Sequence, residues 1–260
     1  MKPKISVITV VYNSAPLLQA TIDSIAGQSY PNLEYIVVDG GSTDGTVDII
    51  QANADKIARW VSEQDQGIYD AMNKGVRMAT GDWINFINAG DSLLGTNVIA
   101  DVVLLMESDA DIVYGRTVSR MEFGDFLLTP KPLEQISNGM VFGHPSSFVR
   151  RELLQQTPFD TSFRIAADYN FFYISYYSTR KFQYVPVDVA LFDGESGISS
   201  THLRLVRYEN GRVQGRTGSL NWRIRYQISS LWIEFKQFLK RLLPARVVCS
   251  IRRKNMNRQV

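Results

Sequence analysis

The sequence predicts an α/β protein with a doubly wound, mostly parallel sheet and a basic, amphipathic helical extension at its C-terminus. Three observations predict it. Short β-branched runs alternate with helical patterns through the first half, the signature of βαβ units. Those runs are apolar almost throughout, as in strands covered on both faces. The charge is divided along the chain: of 28 Lys+Arg and 26 Asp+Glu, residues 203–260 hold fourteen basic residues against only Glu209 and Glu234. That stretch carries +12 and residues 1–202 carry −10, an asymmetry that points to an anionic partner.

Each element follows in order. Ile5–Val11 is a near-continuous apolar strand. Ser14 is placed to cap a helix that turns Leu18, Ile22 and Ile25 to one side, with Gly27 as its stop. Tyr35–Val38 is the second strand, Gly40–Gly45 a polar turn, and Val47–Ile50 the centre of a helix. Trp60–Val61 begins a third strand, Ile68–Ala79 a helix, and Trp83–Ile87 a fourth strand. Val98–Met106 fits a helix and Ile112–Tyr114 a fifth, short strand. The alternation lapses over residues 115–145. Asp168–Ser178 is an aromatic helix and Phe182–Val187 a further strand. Ligands of such sheets bind outside the carboxyl ends of the strands. Here those ends deliver Asn13, Asp39 with Gly40 and Gly41, Glu63 to Gly67, and Asn88 to Asp91 to one crevice.

Composition excludes several classes. With 45% hydrophobic and 21% charged residues the chain has enough apolar content for a core. The single cysteine, Cys249, forms no internal disulfide or thiolate metal site, as expected of a reducing, cytoplasmic setting. The first apolar run is broken at Asn13, too short for a secretory leader, and no run reaches the roughly 20 residues of a spanning helix. Neither G-x-G-x-x-G nor a Walker sequence occurs, against dinucleotide cofactors and P-loop chemistry.

The strand-end motifs carry the chemistry. In Val37-Val38-Asp39-Gly40-Gly41-Ser42-Thr43-Asp44-Gly45-Thr46, an acid ends a strand, glycines allow close backbone approach, and Asp44 is placed to cap the next helix. Together with Thr9-Val10-Val11-Tyr12-Asn13, the segment from Ser62 through Gly67-Ile68-Tyr69-Asp70-Ala71-Met72-Asn73-Lys74-Gly75, Ala79-Thr80-Gly81-Asp82-Trp83-Ile84 and Asn88-Ala89-Gly90-Asp91, this segment resembles a family-2 glycosyltransferase of the Rossmann-like GT-A fold. The wording GIYDAMNKG followed by NAGD resembles the branch that builds bacterial exopolysaccharides such as colanic acid.

The resemblance implies an inverting transferase that moves a sugar from a nucleotide-sugar donor, a UDP-sugar, to a hydroxyl of a growing, lipid-linked oligosaccharide. It implies a donor pocket with Asp39 at the uracil or ribose and Thr9, Glu63, Asp70 and Asn88 around it. It places Asp91 at the family's D-x-D metal motif, where Mg²⁺ or Mn²⁺ would steady the diphosphate. Asn88 and Gly90 stand in the preceding positions, so one carboxylate remains. It makes Asp168 the general base, with Ala167 where the family carries a Glu; a sugar hydroxyl is a weak nucleophile until a carboxylate takes its proton. His144 is a candidate contact to phosphate or acceptor. An Asp70–Lys74 pair at i,i+4 accounts for those two residues without a ligand. Residues 1–110 form the donor half and 111–202 the acceptor half of the catalytic domain, with 203–260 as the extension. The alternative is a non-catalytic, membrane-associated scaffold that keeps the fold; a nucleotidyltransferase would need a Gly- and Lys-rich signature absent near Asn13.

Within the extension, Tyr226 or Ile228, Leu231, Trp232, Phe235, Phe238, Leu239 and Leu242 recur at helical spacing opposite Arg223, Gln227, Ser230, Glu234, Gln237 and Arg241, and Pro244 is expected to end the helix. Such a helix suits an anionic membrane, putting residues 219–258 on the inner face of the plasma membrane; the competing expectation is that the apolar stripe packs on protein. No nucleic-acid motif accompanies the basic residues, so nucleic acid is not an expected partner.

Overall fold

The structure, a computed structural model, describes residues 2–194 and 197–242. Its first half is the expected parallel sheet. β1 (Ile5–Val11) lies between β2 (Leu33–Asp39) and β4 (Trp83–Phe86), and β3 (Arg59–Ser62) flanks β2, all parallel. Every residue of β1 is buried. Alternate side chains enter two cores: Ile5, Val7 and Val11 meet α1 (Ala15–Ala26), α2 (Thr46–Ala52) and α4 (Val98–Leu105) through Leu18, Ile22, Ile50, Ile99 and Val102. Ile8 and Val10 face the opposite core, with Met72 and Val76 of α3 (Ile68–Met78), Leu153 of α5 (Arg151–Gln156) and Phe172 of α6 (Ala167–Tyr177). Two covered faces explain the unbroken apolar runs. Because β1 to β4 run the same way, their carboxyl ends share one edge.

Beyond β4 the sheet continues through an antiparallel strand, β8 (Ser147–Arg150), to β6 (Ile112–Met121), β9 (Phe182–Asp193) and the two-residue β5 (Ser92–Leu93); β7 (Gly124–Leu128) forms a hairpin with β6. The expected strands 112–114 and 182–187 are the beginnings of much longer ones that run parallel with register shifts around Arg116. The close approach there requires Gly115: a Cβ on it would lie 2.6 Å from the Val187 carbonyl oxygen. Residues 115–145 read as irregular because β6 turns mostly polar from Arg116 onward; β8, just beyond, is too short to announce itself.

Two capping expectations divide. The Ser14 hydroxyl makes no cap and turns back to the Tyr12 carbonyl at 3.2 Å. Asp44 serves both neighbouring helices, accepting from Ala15 N at 3.1 Å and Thr46 N at 3.1 Å.

The C-terminal helices α7 (Ile198–Thr201), α8 (Leu203–Val213) and α9 (Leu220–Leu242) behave differently from one another. α8 is docked: Arg212 stacks over Phe163 at 4.2 Å and bonds Ser162, and Gln214 donates to the Tyr169 hydroxyl at 3.1 Å. α9 packs back on α8, with the Trp222 and Tyr226 rings stacked at 5.1 Å beside Tyr208 and an Arg204–Glu234 ion pair. The Trp222 indole lies where a Cβ on Gly211 would be, so only glycine fits there. Ser230, expected on the polar stripe, is buried. Leu220, Ile224, Ile228, Leu231, Trp232 and Phe235 instead form an exposed apolar stripe. The side chains of Phe238, Leu239 and Leu242, and everything expected of Pro244 and Cys249, lie outside the described residues.

Candidate active site

The loop after β2 is built around Asp39. Its carboxylate accepts from Gly41 N at 3.1 Å, Ser42 N at 3.0 Å, the Ser42 hydroxyl and the Ser62 hydroxyl at 2.6 Å. Asp39 is fully buried, and both oxygens are occupied by protein. In this structure the carboxylate shapes the glycine turn and ties it to β3. Thr9 is likewise fully buried, donating to the Ile87 carbonyl at 2.7 Å and accepting from the Tyr35 hydroxyl at 3.0 Å.

What the turn presents outward is different. Gly40 gives up the volume of a side chain to Asp65, whose carboxylate stands where a Cβ would be, with the Tyr12 ring next to it. Asp65 holds its own turn through Gly67 N at 2.8 Å, and Tyr12 is strongly exposed. Glu63 is also exposed and pairs with Lys74 at 3.0 Å; Asp70 receives Gln66 N at 3.1 Å and lies 3.6 Å from Lys74, the expected i,i+4 pair. Asn13, in left-handed backbone at φ 46°, clasps the opposite side by accepting from Thr43 N at 2.9 Å.

At the end of β4, Asn88 holds the turn by accepting Asp91 N on its carbonyl at 2.9 Å, and its side-chain Oδ1 is buried without a protein partner. The enclosed carboxyl of Asp91 is pushed up to about 7, first by burial and then by the neighbouring charge of Asp193. β5 pairs with β9 and so brings together these two acids from distant parts of the sequence. Two neighbouring carboxylates are a hard oxygen donor set of the kind Mg²⁺ and Mn²⁺ prefer. Among the described residues no group of three or more His, Cys, Asp or Glu is arranged to hold a metal ion, so any such ion would take its remaining ligands from substrate or water.

Asp168 opens α6. Its Oδ1 accepts from the Tyr69 hydroxyl at 2.9 Å and Tyr169 N at 2.8 Å, while Oδ2 stands 3.5 Å from His144 Nδ1. The Tyr69 hydroxyl also reaches the Ile165 carbonyl at 2.5 Å. His144 is enclosed by the rings of Phe86, Phe159 and Phe172. Burial pushes its proton affinity down, opposed by the charge on Asp168, so a neutral ring with its Nδ1 proton turned to Asp168 satisfies both. Its Nε2 is buried without a protein partner. The structure therefore sets His144 against the carboxylate, not on an open phosphate site. Tyr69 is held firmly protonated by burial and by Asp168; a phenol, an imidazole and a carboxylate thus converge from α3, the 144–146 turn and α6.

Sequence reasoning missed Tyr12, Asp65 and Tyr69 as site residues although all three lie within the quoted motifs. It missed Asp193 because no local signal links it to Asp91.

The family model for Glycosyl transferase family 2 matches residues 6–168. A PGL/p-HBAD biosynthesis glycosyltransferase of Mycobacterium bovis (strain BCG / Pasteur 1173P2) is 34% identical over 210 residues, covering 76% of this chain and 80% of its own. Among solved structures, S. aureus TarS in complex with UDP-GlcNAc is similar with a TM-score of 0.64 at 18% identity, covering 81% of this chain and 70% of that one. The mannosyltransferase PcManGT from Pyrobaculum calidifontis in complex with GDP-Man and Mn²⁺ gives 0.63 at 23%, covering 82% and 65%. At those identities the structures speak for the fold. The mycobacterial relative's name does not carry the narrower resemblance to exopolysaccharide builders.

Proposed function

This chain belongs to glycosyl transferase family 2, a glycosyltransferase using nucleotide-sugar donors, and we propose that it transfers a sugar from a UDP-sugar, with inversion, to a hydroxyl of a lipid-linked saccharide destined for the cell envelope. The observation that carries the reading is the Asp168 carboxylate, partly open to solvent and fixed by Tyr69, Tyr169 N and His144. In the reaction the acceptor oxygen forms a bond to the anomeric carbon as the bond from that carbon to the diphosphate oxygen breaks. The diphosphate leaves with the electron pair, and the acceptor proton passes to Asp168. A carboxylate held at Oδ1 by a protonated phenol and a backbone N–H, with Oδ2 beside His144, is fixed in orientation for the incoming hydroxyl.

The donor lies along the strand ends, the base beside exposed Tyr12 and the Asp65 carboxylate, in the turn that Asp39 shapes. Glu63 and Asp70 set that wall through Lys74, and Asn88, whose Oδ1 is buried without a protein partner, follows the end of β4 at the same edge. Asp91, with Asp193 beside it, offers oxygen ligands to Mg²⁺ or Mn²⁺; a bound cation would neutralise charge on the departing diphosphate. The acceptor half spans 111–202. PcManGT's Mn²⁺ and the UDP-GlcNAc of TarS support a cation-assisted nucleotide-sugar site.

The lipid-linked acceptor and a place on the inner face of the plasma membrane are supported by α9, which sets an exposed apolar stripe beside Arg223, Arg225 and Lys236. No described helix is long and apolar enough to cross a membrane. The deciding measurement is UDP release across a panel of UDP-sugars, with and without EDTA, for the wild type and Asp168→Ala. Transfer is expected to fall by about two to four orders of magnitude in the variant with UDP binding intact. Near-normal transfer by Asp168→Ala would overturn the base assignment.

A further inference from the structure

Glu209 is out of place in its surroundings. It is one of two acids among fourteen basic residues after position 202, it sits mid-helix in α8, and it is only 2% exposed. A carboxylate so enclosed needs strong partners, and it has three. Its Oε1 accepts from Arg164 N at 2.9 Å, and its Oε2 from Ile165 N at 2.9 Å and Ala166 N at 3.0 Å. All three donors are backbone N–H groups immediately before α6, whose N-cap residue is Ala166, a residue with no side-chain acceptor of its own. Glu209 therefore caps, from another helix, the start of the helix that bears Asp168, and its charge complements the positive end of that helix.

We infer that Glu209 is a positioning residue for Asp168; the inference rests on the reading of Asp168 as the general base. The connection is one of adjacent bonds. The peptide group between Ile165 and Ala166 donates its N–H to Glu209 and accepts the Tyr69 hydroxyl on its carbonyl. The single Tyr69 proton is shared between that carbonyl and Asp168 Oδ1, so the position in which Glu209 holds the 165–166 peptide sets where the phenol, and with it Asp168, can lie. The loop 164–166 has no side-chain cap to replace this support, so when Glu209 is lost the base drifts while the strand-end donor site, built on β1 to β4, is untouched. α8 is thus part of the catalytic apparatus and more than a stem for α9.

The test compares Glu209→Gln, Glu209→Asp and Asp168→Ala in the full chain, reading UDP release from the UDP-sugar that turns over best and UDP affinity by calorimetry. Glu209→Gln presents an amide to N–H donors; it is expected to lower kcat by about 10- to 100-fold, the scale for displacing a catalytic group by about 1 Å, with donor KM and UDP affinity unchanged. Glu209→Asp keeps the charge with less reach and is expected to retain more of kcat than Glu209→Gln. Unchanged kcat in folded Glu209→Gln, or a loss of UDP affinity in step with kcat, overturns the inference. If Glu209→Gln does not fold, Glu209→Asp decides alone by the same split: reduced kcat with wild-type UDP affinity supports it, and wild-type kcat overturns it. Activity surviving in Asp168→Ala instead removes the base reading itself, an outcome separable from failure of the Glu209 variants.

Discussion

Asp91 holds its proton to about pH 7 because its carboxyl is enclosed and Asp193 lies close by. The folded state thus binds a proton that the unfolded chain, with an ordinary aspartate value, releases near pH 4. Stability contributed by that proton is present at low pH and is lost as pH rises through 7, at a cost of roughly 2 kcal/mol once solvent screening is allowed for. A divalent cation competes for the same oxygens. In thermal melts, Mn²⁺ or Mg²⁺ is therefore expected to raise Tm at pH 8 and to do little at pH 5.5, where Asp91 is protonated. Asp91→Asn should raise Tm by a few degrees at pH 8 in EDTA and abolish the cation response; a full cation shift in that variant would place the ion elsewhere. Asp91 and Asp168 stand out in the sequence because each ends or begins an element. Thr9 and Asp39 show why a polar residue at a strand end is harder to read: it can serve the fold as readily as a ligand, and its hydrogen-bond partners are invisible in the sequence. Asp193 needed the pairing of β5 with β9, a contact between segments a hundred residues apart.

At the scale of elements, the junction of β1, β2 and the 79–82 turn depends on one buried acid. Glu34 is 4% exposed and accepts from the Ser6 hydroxyl at 2.6 Å, Thr80 N at 2.8 Å and the Thr80 hydroxyl at 2.8 Å, with Lys4 at 3.3 Å. Burial alone would push its carboxyl up; the bonds from Ser6, Thr80 and Lys4 more than offset it and hold the carboxyl at about 2. Its folded value lies below the unfolded one, so its contribution is complete above about pH 4.5 and fades as pH falls toward 2. Glu34→Gln is expected to lower stability by about 2–3 kcal/mol at pH 7 in urea unfolding. It should also flatten the loss of stability between pH 4.5 and 2; an unaltered acid limb would show that other carboxylates govern it. The strands this acid ties together were legible because both their faces are covered. The second half of the sheet was not: β8 has four residues, and the register of β6 on β9 is set by contacts far apart in sequence. Local periodicity carries no information about either.

For the whole molecule, the charge division of the chain corresponds to a division of surfaces, and its two exceptions are informative. The only acids beyond residue 202 are those that bind the C-terminal helices to the rest: Glu209 to the start of α6, and Glu234 to Arg204 across α8 and α9. With α8 committed to the catalytic body, the free surface begins with α9. Its inward side sets Trp222 and Tyr226 on Tyr208. Its outward stripe of Ile224, Ile228, Leu231, Trp232 and Phe235 remains in solvent, flanked by cations that would meet anionic headgroups. α9 thus has one packed side and one exposed side. Replacing Ile228 and Leu231 by Glu should abolish binding to vesicles containing anionic phosphatidylglycerol, because it removes apolar area and adds like charge at the contact. Both side chains are exposed, so UDP affinity and Tm should stay near wild type. Wild-type binding to these vesicles is expected to weaken between low and high salt as the cationic part is screened. Truncation after Gly218 should also lose the vesicles while keeping UDP, since Glu209 and the strand-end site precede the cut. Retained vesicle binding in the double variant would assign the membrane contact to another surface, whereas self-association of the wild type that the double variant abolishes would assign the stripe to a second copy of this chain.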